Sequence, residues 1–191
     1  LEGAPADGSV SLNSMKLWAM HRAGLRANYG FELDLHAEVF EACAYHYWGL
    51  FETEAKSLAT LILGGGVPKN YNLQPEPALG QVLGLPNVSG YHFDVQIVSA
   101  PVSDGSLSSC PPAEAVTWGK VDKDVYTKTT ESMQGDYSAV MPFIVKALLE
   151  NRDHWRTSPP EEGSGYLREA GGYRLYDRRD QLVSQLTEQV K

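Results

Sequence analysis

Residues 57–70 have the sequence Ser-Leu-Ala-Thr-Leu-Ile-Leu-Gly-Gly-Gly-Val-Pro-Lys-Asn. An apolar run that stops at three glycines is typical of a strand buried on both faces of a parallel sheet. Glycine at the carboxyl end of such a strand lets a ligand approach the backbone, and Pro68 suits the first turn of a helix. The stretch matches neither the Walker A loop nor the GxGxxG motif, so a tight structural turn explains it equally well.

Helical and strand patterns alternate on both sides of this stretch. Residues 31–35 alternate between apolar and polar in a way that suits either a short strand or a lead-in to a helix. The order of the elements predicts an α/β fold with a mostly parallel sheet. The predicted elements are helices over 12–29 and 36–54, strands over 91–98 and 125–130, and a helix over 137–151 that packs on the sheet.

The last forty residues differ from the rest in composition. Residues 152–172 contain Ser-Pro-Pro-Glu-Glu-Gly-Ser-Gly at 158–165 and are predicted to be a linker. Residues 173–191 have apolar side chains opposite a charged face, which predicts one amphipathic helix. This helix would dock on the same chain or on a partner.

The composition excludes several classes of function. The chain has 191 residues, 42% of them hydrophobic, which is enough to bury a core. Its 16 basic and 24 acidic residues give a net charge of −8, which argues against a nucleic-acid partner and favours cationic ones. Two cysteines without CxxC spacing, and no apolar run of ~18 residues or basic-then-apolar leader, predict a cytoplasmic protein without a structural zinc site or a membrane span. The histidines share no metal-ligand spacing and are predicted to be packing or surface residues: His21, His36, His46, His92 and His154.

A second stretch, residues 103–121, carries the residue types of a cation-binding site. Asp104 lies in a loop of small residues, and a short apolar segment then contains Glu114, Trp118 and Lys120. A carboxylate and an indole can hold a cationic substrate, and an amine can act as a nucleophile. The alternative is a surface loop that leads into a helical turn and happens to end in lysine.

Three motifs together resemble those of the deoxyhypusine synthase family. They are Gly-Gly-Gly-Val-Pro-Lys at 64–69, Asp-Gly-Ser at 104–106 and Glu-Ala-Val-Thr-Trp-Gly-Lys at 114–120. Their order and spacing make the match specific. Asp7, in an earlier Asp-Gly-Ser, and Asp136 also resemble the family's pattern.

The resemblance covers about residues 4–150. It implies that residues 1–151 form the C-terminal half of a Rossmann-like NAD-binding domain, in which helices cover both faces of the mostly parallel sheet. The N-terminal half of that fold would be supplied by another polypeptide, or would have been lost by processing. Sites in the family lie between subunits, so an oligomer is expected.

The resemblance implies NAD-dependent transfer of the 4-aminobutyl group of spermidine. In the family, NAD takes hydride from spermidine, the resulting imine passes to the active-site lysine, and the aminobutyl group then moves to a lysine of translation initiation factor 5A. Lys120 would be the nucleophile, and no metal would take part. The residues that would hold the substrate are Glu114, Trp118, Asn70, Ser106 and Gly65, and those that would hold NAD are Asp7, Ser99, Ala100, Asp104 and Asp136.

The chemistry of these residue types agrees with the implied roles. A lysine must be unprotonated to attack an imine, and apolar surroundings near Trp118 would disfavour its ammonium form. Glu114 can anchor an ammonium group, and a desolvated indole adds a cation–π attraction of ~1 to 2 kcal/mol. Carboxylates such as Asp7 and Asp136 suit ribose hydroxyls, although an isolated aspartate in a turn also caps helices.

Three positions depart from the family's pattern. The family has histidine where this chain has Asn70, an acid where it has Leu107, and another acid where it has Leu12 and Asn13. All three belong to the polyamine side of the site, so they affect the donor and the acceptor rather than the redox and imine chemistry. The alternatives are a homospermidine-type synthase with a small-amine acceptor and a non-catalytic regulatory subunit. A plain dinucleotide-binding oxidoreductase would leave Lys120 without a role.

Overall fold

The computed structural model describes residues 9–30, 34–53, 55–151 and 177–190. Single π-helical turns span Trp48–Glu52 and Ala78–Val82, and a 3-10 turn spans Val102–Asp104. In chain order the elements are α1 (Ser9–Arg22), α2 (Leu35–Tyr47), β1 (Ala59–Leu63), α3 (Val67–Asn72), α4 (Pro75–Pro77), β2 (Phe93–Val98), α5 (Pro112–Val116), α6 (Tyr126–Thr129), β3 (Thr130–Gln134), α7 (Tyr137–Glu150) and α8 (Arg179–Gln189).

The three strands form one parallel sheet in the order β1-β2-β3, so the predicted α/β architecture with a parallel sheet is confirmed. Thr60 pairs with Asp94 and Asp94 with Thr130, while Gln96 pairs with Ser132. Side chains alternate between the two faces of a strand, so these polar residues share one face. We call it the inner face.

The third strand lies further along the chain than the sequence predicts. The expected strand was 125–130, whereas β3 spans Thr130–Gln134 and α6 occupies the preceding residues. The hydroxyl of Thr129 donates to the backbone oxygen of Val125 at 3.0 Å, and that of Thr130 to Tyr126 at 2.7 Å. These bonds hold a helical turn in a segment whose β-branched residues favour a strand.

The outer face of the sheet is apolar and open. The prediction that β1 is buried on both faces is wrong for the described residues, because the described helices leave the outer side chains exposed to solvent. Leu61, for example, is 51% exposed. Ala59 and Glu131 are exposed on the same face. The large apolar side chains of the outer face that are more than a third exposed are Leu61, Leu63, Phe93, Val95 and Met133.

Helix α7 starts where the sequence predicts but does not pack as predicted. Asp136 is its N-cap, and the ring of Tyr137 lies beside Gly64 at the end of β1. The helix has no buried residue, and Phe143 is 74% exposed. The expectation that α7 packs on the sheet is therefore wrong within the described part of the chain, since its apolar side chains face solvent.

The first two helices are both shorter than predicted. α1 ends at Arg22 because Gly24, with a φ of +72°, turns the chain out of the helix. α2 begins at Leu35, where Asp34 accepts a hydrogen bond from the N–H of Ala37 at 3.0 Å. Residues 34–35 thus lead into the helix, and residues 31–33 lie outside the described part.

The buried core lies between α2, the turn after α4 and α8. It consists of side chains that are at most 2% exposed, so α8 docks on its own chain. The predicted linker 152–172 lies outside the described residues. The core residues are Cys43, Ala44, Leu79, Leu182 and Leu186.

Candidate functional site

One cavity brings together most of the predicted substrate residues. It has a volume of about 530 Å³ and is lined by α3, by Asp94 of β2 and by residues between 102 and 120. We call it the lysine cavity, because Lys69 and Lys120 both line it. Gly65 does not line it. The predicted residues that do are Asn70, Ser106, Glu114, Trp118 and Lys120.

Two glycines fix the backbone that carries Lys120. Gly119 has a φ of +78°, and a Cβ there would collide with the carboxylate of Glu76. A Cβ at Gly90 would overlap the backbone of Gly119 and Lys120. This close approach lets the backbone oxygen of Lys120 accept from the N–H of Tyr91 at 3.0 Å. The glycine before the lysine is therefore required by the fold.

The amine of Lys120 is half-buried in the cavity and donates a hydrogen bond to a neighbouring side chain. Its Nζ donates to Oδ1 of Asn70 at 2.5 Å. Burial lowers the pKa of Lys120, and the field of Cys110 partly opposes that shift. Asn70, predicted as a substrate residue, thus contacts the lysine itself.

A second lysine, Lys69, lies deeper and was not predicted as a site residue. It is 8% exposed, and its Nζ donates to Oε1 of Gln96 at 2.6 Å and to the backbone oxygen of Cys110 at 2.5 Å. Gln96 in turn donates to the hydroxyl of Ser132 at 2.6 Å. Burial lowers the pKa of Lys69, the fields of Cys110, Asp94 and Glu114 oppose that shift, and the nearby charge of Lys120 adds a smaller lowering. Its place in the first turn after a glycine-ended strand is the sequence signal that could have identified it.

Asp94 was not predicted either, and it is the one carboxyl group that the sheet contributes to the cavity within the described residues. It is 1% exposed, and its Oδ1 has no hydrogen-bond partner in the described part of the chain. Burial raises the pKa of Asp94 to about 6, and the field of Lys69 opposes the shift. The alternation Phe-Asp-Val-Gln at 93–96, with polar residues at every second place, was the available signal.

The other predicted substrate residues line a more open part of the cavity. Trp118 is 67% exposed, so its indole is not the apolar wall that the sequence suggested. Glu114 is also exposed, and its Oε2 accepts from Sγ of Cys110 at 3.5 Å. Burial raises the pKa of the Cys110 thiol, and Glu114 raises it further. The desolvation of the two lysines therefore comes from the rest of the cavity.

Most of the predicted cofactor residues lie at the carboxyl edge of the sheet and do not line the lysine cavity. Ser99 and Ala100 directly follow β2. The N–H of Gly64 donates to Ile97 and that of Gly135 to Val98, both at 2.8 Å, so the three strand ends lie side by side. Such an edge is where ligands bind in open parallel sheets.

The three predicted cofactor aspartates differ in what the structure shows of them. Asp136 caps α7 and accepts from the N–H and the hydroxyl of Ser138 at 2.8 and 2.7 Å, which lowers its pKa. Asp136 therefore caps a helix, which is the alternative role noted for an isolated aspartate. Asp104 is exposed at the end of the 3-10 turn, and Asp7 lies outside the described residues.

Two classes of feature are absent from the described ranges. No cluster of three or more His, Cys, Asp or Glu there could hold a metal ion. No helix among the same residues is long and apolar enough to cross a bilayer.

Comparisons with known proteins find a matching family model and curated relatives. The family model for deoxyhypusine synthase matches residues 3–148. Curated relatives named deoxyhypusine synthase-like protein include one from a Nostoc species, 36% identical over 96% of this chain, and one from a Cyanothece species, 32% identical over 96%. Another, from Chlorobaculum tepidum, is 31% identical over 70% of the chain. The matches cover 41%, 40% and 37% of these relatives, so the chain spans about two fifths of their length.

Proposed function

This chain belongs to the deoxyhypusine synthase family, and we propose that it carries the nucleophile of an NAD-dependent aminobutyl transfer. The donor would be spermidine or a related polyamine, and the acceptor an amine. The observation that supports the proposal best is the geometry of Lys120, an amine held by Asn70 in a cavity whose desolvation lowers its pKa. An uncharged amine is the form that attacks an imine carbon.

The lysine cavity also contains groups that suit a polyamine. Glu114 and Asp94 line it, and each can neutralise an ammonium group. The exposed ring of Trp118 offers a face for a third contact. Asn70 takes one N–H of Lys120, which orients the nitrogen lone pair toward the cavity.

The carboxyl edge of the sheet has features that suit a bound dinucleotide. Gly64 and Gly65 have φ values of +69° and +88°, and a Cβ at Gly65 would meet only the backbone nitrogen of Lys69, at 3.9 Å. The backbone there is open to a ligand, and the exposed carboxylate of Asp104 suits a ribose hydroxyl. These groups would hold NAD, which would supply hydride chemistry: removal of hydride from the carbon beside the secondary nitrogen of the polyamine, and its later return.

The residues of this chain would perform the transfer between these two hydride steps. The Nζ lone pair of Lys120 attacks the carbon of the oxidised polyamine's C=N bond, and a new C–N bond forms. Both protons of the uncharged Lys120 amine pass to the original nitrogen as its bond to that carbon breaks, so 1,3-diaminopropane leaves and a C=N bond joins Lys120 to the aminobutyl carbon. The acceptor amine then attacks the same carbon, passes its two protons to the Lys120 nitrogen and takes over the C=N bond, and Lys120 is released as a free amine.

We also propose that a segment or chain supplying the N-terminal half of the fold covers the outer face of the sheet. The support is the row of exposed apolar side chains that includes Leu61 and Phe93, together with the fraction of the relatives' length that this chain spans. Apolar patches of this kind mark surfaces that associate with other polypeptide segments. An oligomer would place further groups beside the lysine cavity.

Borohydride trapping tests the proposal. The protein in its native assembly is incubated with spermidine and NAD, and borohydride is added during turnover. Peptide mass spectrometry should find one 4-aminobutyl adduct on Lys120, and Lys120→Ala should lower turnover at least about 10³-fold because the nucleophile is gone. Lys123→Ala, at an exposed lysine nearby, is the matched control and should retain both.

Three other outcomes would count against it. An adduct on a different lysine would assign the nucleophile elsewhere. The absence of any adduct while NAD binds normally would contradict the imine mechanism. Full turnover of the assembly that contains Lys120→Ala would favour the regulatory-subunit alternative.

Supplying a small amine or an initiation factor 5A-like protein as acceptor separates the two acceptor classes.

A further inference from the structure

A second cavity lies on the other side of α3. It has a volume of about 490 Å³ and is lined by Pro68, Tyr71 and Asn72 of α3, whereas Lys69 and Asn70 face the lysine cavity. Four aromatic side chains dominate its wall, and we call it the aromatic cavity. They are Tyr45, Trp48, Tyr71 and Tyr91.

The charges around the aromatic cavity are all negative. Glu38 and Glu41 of α2 line it, and none of its lining residues in the described chain is lysine or arginine. Glu41 accepts a hydrogen bond from the Tyr45 hydroxyl at 2.9 Å, which holds that carboxylate against the wall. Both glutamates also raise the pKa of Tyr71, after the larger effect of burial, so their field reaches its hydroxyl.

His46 also lines the aromatic cavity and adds no positive charge to it. It is 3% exposed, and its Nε2 lies 2.9 Å from the backbone oxygen of Ser89. A carbonyl oxygen only accepts, so Nε2 carries the hydrogen and Nδ1 keeps a lone pair. Burial lowers the pKa of His46 to about 4, so the ring is uncharged at neutral pH. Nδ1 has no hydrogen-bond partner among the described residues.

The hydroxyl of Tyr71 is a second buried polar atom without a partner there. Both atoms are buried, so the chemistry of the cavity is set by the groups on its surface. Aromatic faces and two carboxylates favour a cation and disfavour an anion. The volume admits an alkyl chain as well as its charged end.

We propose that the aromatic cavity binds an alkylammonium group. The ammonium lies against Glu38, Glu41 and the aromatic rings. The group could belong to a free alkylamine or to a lysine side chain of a protein, because the two present the same chemistry. The site is separate from Lys120, so it does not depend on the proposed transfer.

Calorimetric titration of the protein in its native assembly tests this proposal. The probes are n-butylammonium chloride, Nα-acetyl-lysine N-methylamide and, as an uncharged control, 1-butanol. The two ammonium probes should bind and butanol should not bind measurably. The double substitution Glu38→Gln with Glu41→Gln should weaken ammonium binding about ten-fold, since it removes the charge that attracts the cation.

Glu150→Gln, at an exposed glutamate that lines neither cavity, is the matched control and should leave that affinity unchanged. Tyr71→Phe removes only a hydroxyl and should weaken binding less than the double substitution does. Tighter binding of the lysine derivative identifies a protein side chain as the source, and tighter binding of butylammonium identifies a free amine; both support the site. Equal binding of butanol, unweakened binding to the double variant, an equal loss with Glu150→Gln or no binding at all would overturn the proposal.

Discussion

The two cavities that flank α3 have similar volumes, about 530 and 490 Å³, but opposite electrostatic designs. The lysine cavity sets two amines against two carboxyl groups, whereas the aromatic cavity has carboxylates without a cation among its described lining residues. A single six-residue helix separates them, and its successive side chains point to one or the other. The first cavity can therefore hold an amine as a nucleophile, whereas the second can only bind one as a ligand.

The largest expected change in the free energy of unfolding comes from removing Lys69, the buried amine of the lysine cavity. Lys69→Met leaves Oε1 of Gln96 without its donor and Asp94 without its nearest cation. We expect the free energy of unfolding to fall by about 3 kcal/mol, because buried acceptors lose a charged partner. Urea denaturation measures this. Lys16→Met, at an exposed lysine, should change it little, and an equally small change for Lys69→Met would show that its bonds add no net stability.

Acid should destabilise the aromatic cavity through His46. Burial, with a smaller contribution from His92, lowers the pKa of His46 from 6.5 to about 4. Stability is then complete above pH 6.5 and is lost as the pH falls toward 4, because the unfolded state takes up the proton first. The loss should approach about 3 kcal/mol. His46→Gln should abolish this part of the pH dependence of urea unfolding, whereas His36→Gln, at an exposed histidine, should not. Parallel curves for wild type and His46→Gln would contradict the assignment.

The lysine cavity should show the opposite pH dependence through Asp94. Burial raises the pKa of Asp94 from 3.8 to about 6, so its contribution to stability is complete below pH 3.8 and is lost as the pH rises to 6. Asp94→Asn should then stabilise the protein above pH 6 relative to wild type, by about 2 kcal/mol. Asp124→Asn, at an exposed site, is the control in the same unfolding experiment. A destabilising effect above pH 6 would show that the Asp94 charge is compensated in the fold.

The features that could be predicted from the sequence depend on residues that are close together in the chain. An apolar run ending in glycines gave β1 and the turn into α3, and the Trp-Gly-Lys ending pointed to Lys120. Gly119 is locally required, since its backbone is left-handed. Four of the five predicted site residues that line the lysine cavity lie close together in the sequence, between 106 and 120, and their roles stay a prediction.

The features that were missed depend on partners distant in sequence. The buried amine of Lys69 donates its hydrogen bond to Gln96, twenty-seven residues away. Asp94 reaches the cavity through the register of β2, which no local pattern fixes. The core against α8 and the exposure of α7 likewise depend on which segments meet in space. Periodicity shows that a face is apolar but not what covers it.

The open outer face of the sheet would make assembly a competition between two associations. Until Leu61, Phe93 and their neighbours are covered, two newly synthesised copies can bury the same side chains against each other. Covering by a segment of the same polypeptide, as proposed above, would not depend on concentration, whereas the rate at which copies pair rises with the square of the concentration. Under that proposal, the yield of native protein would depend on how fast the covering segment arrives relative to the rate of synthesis.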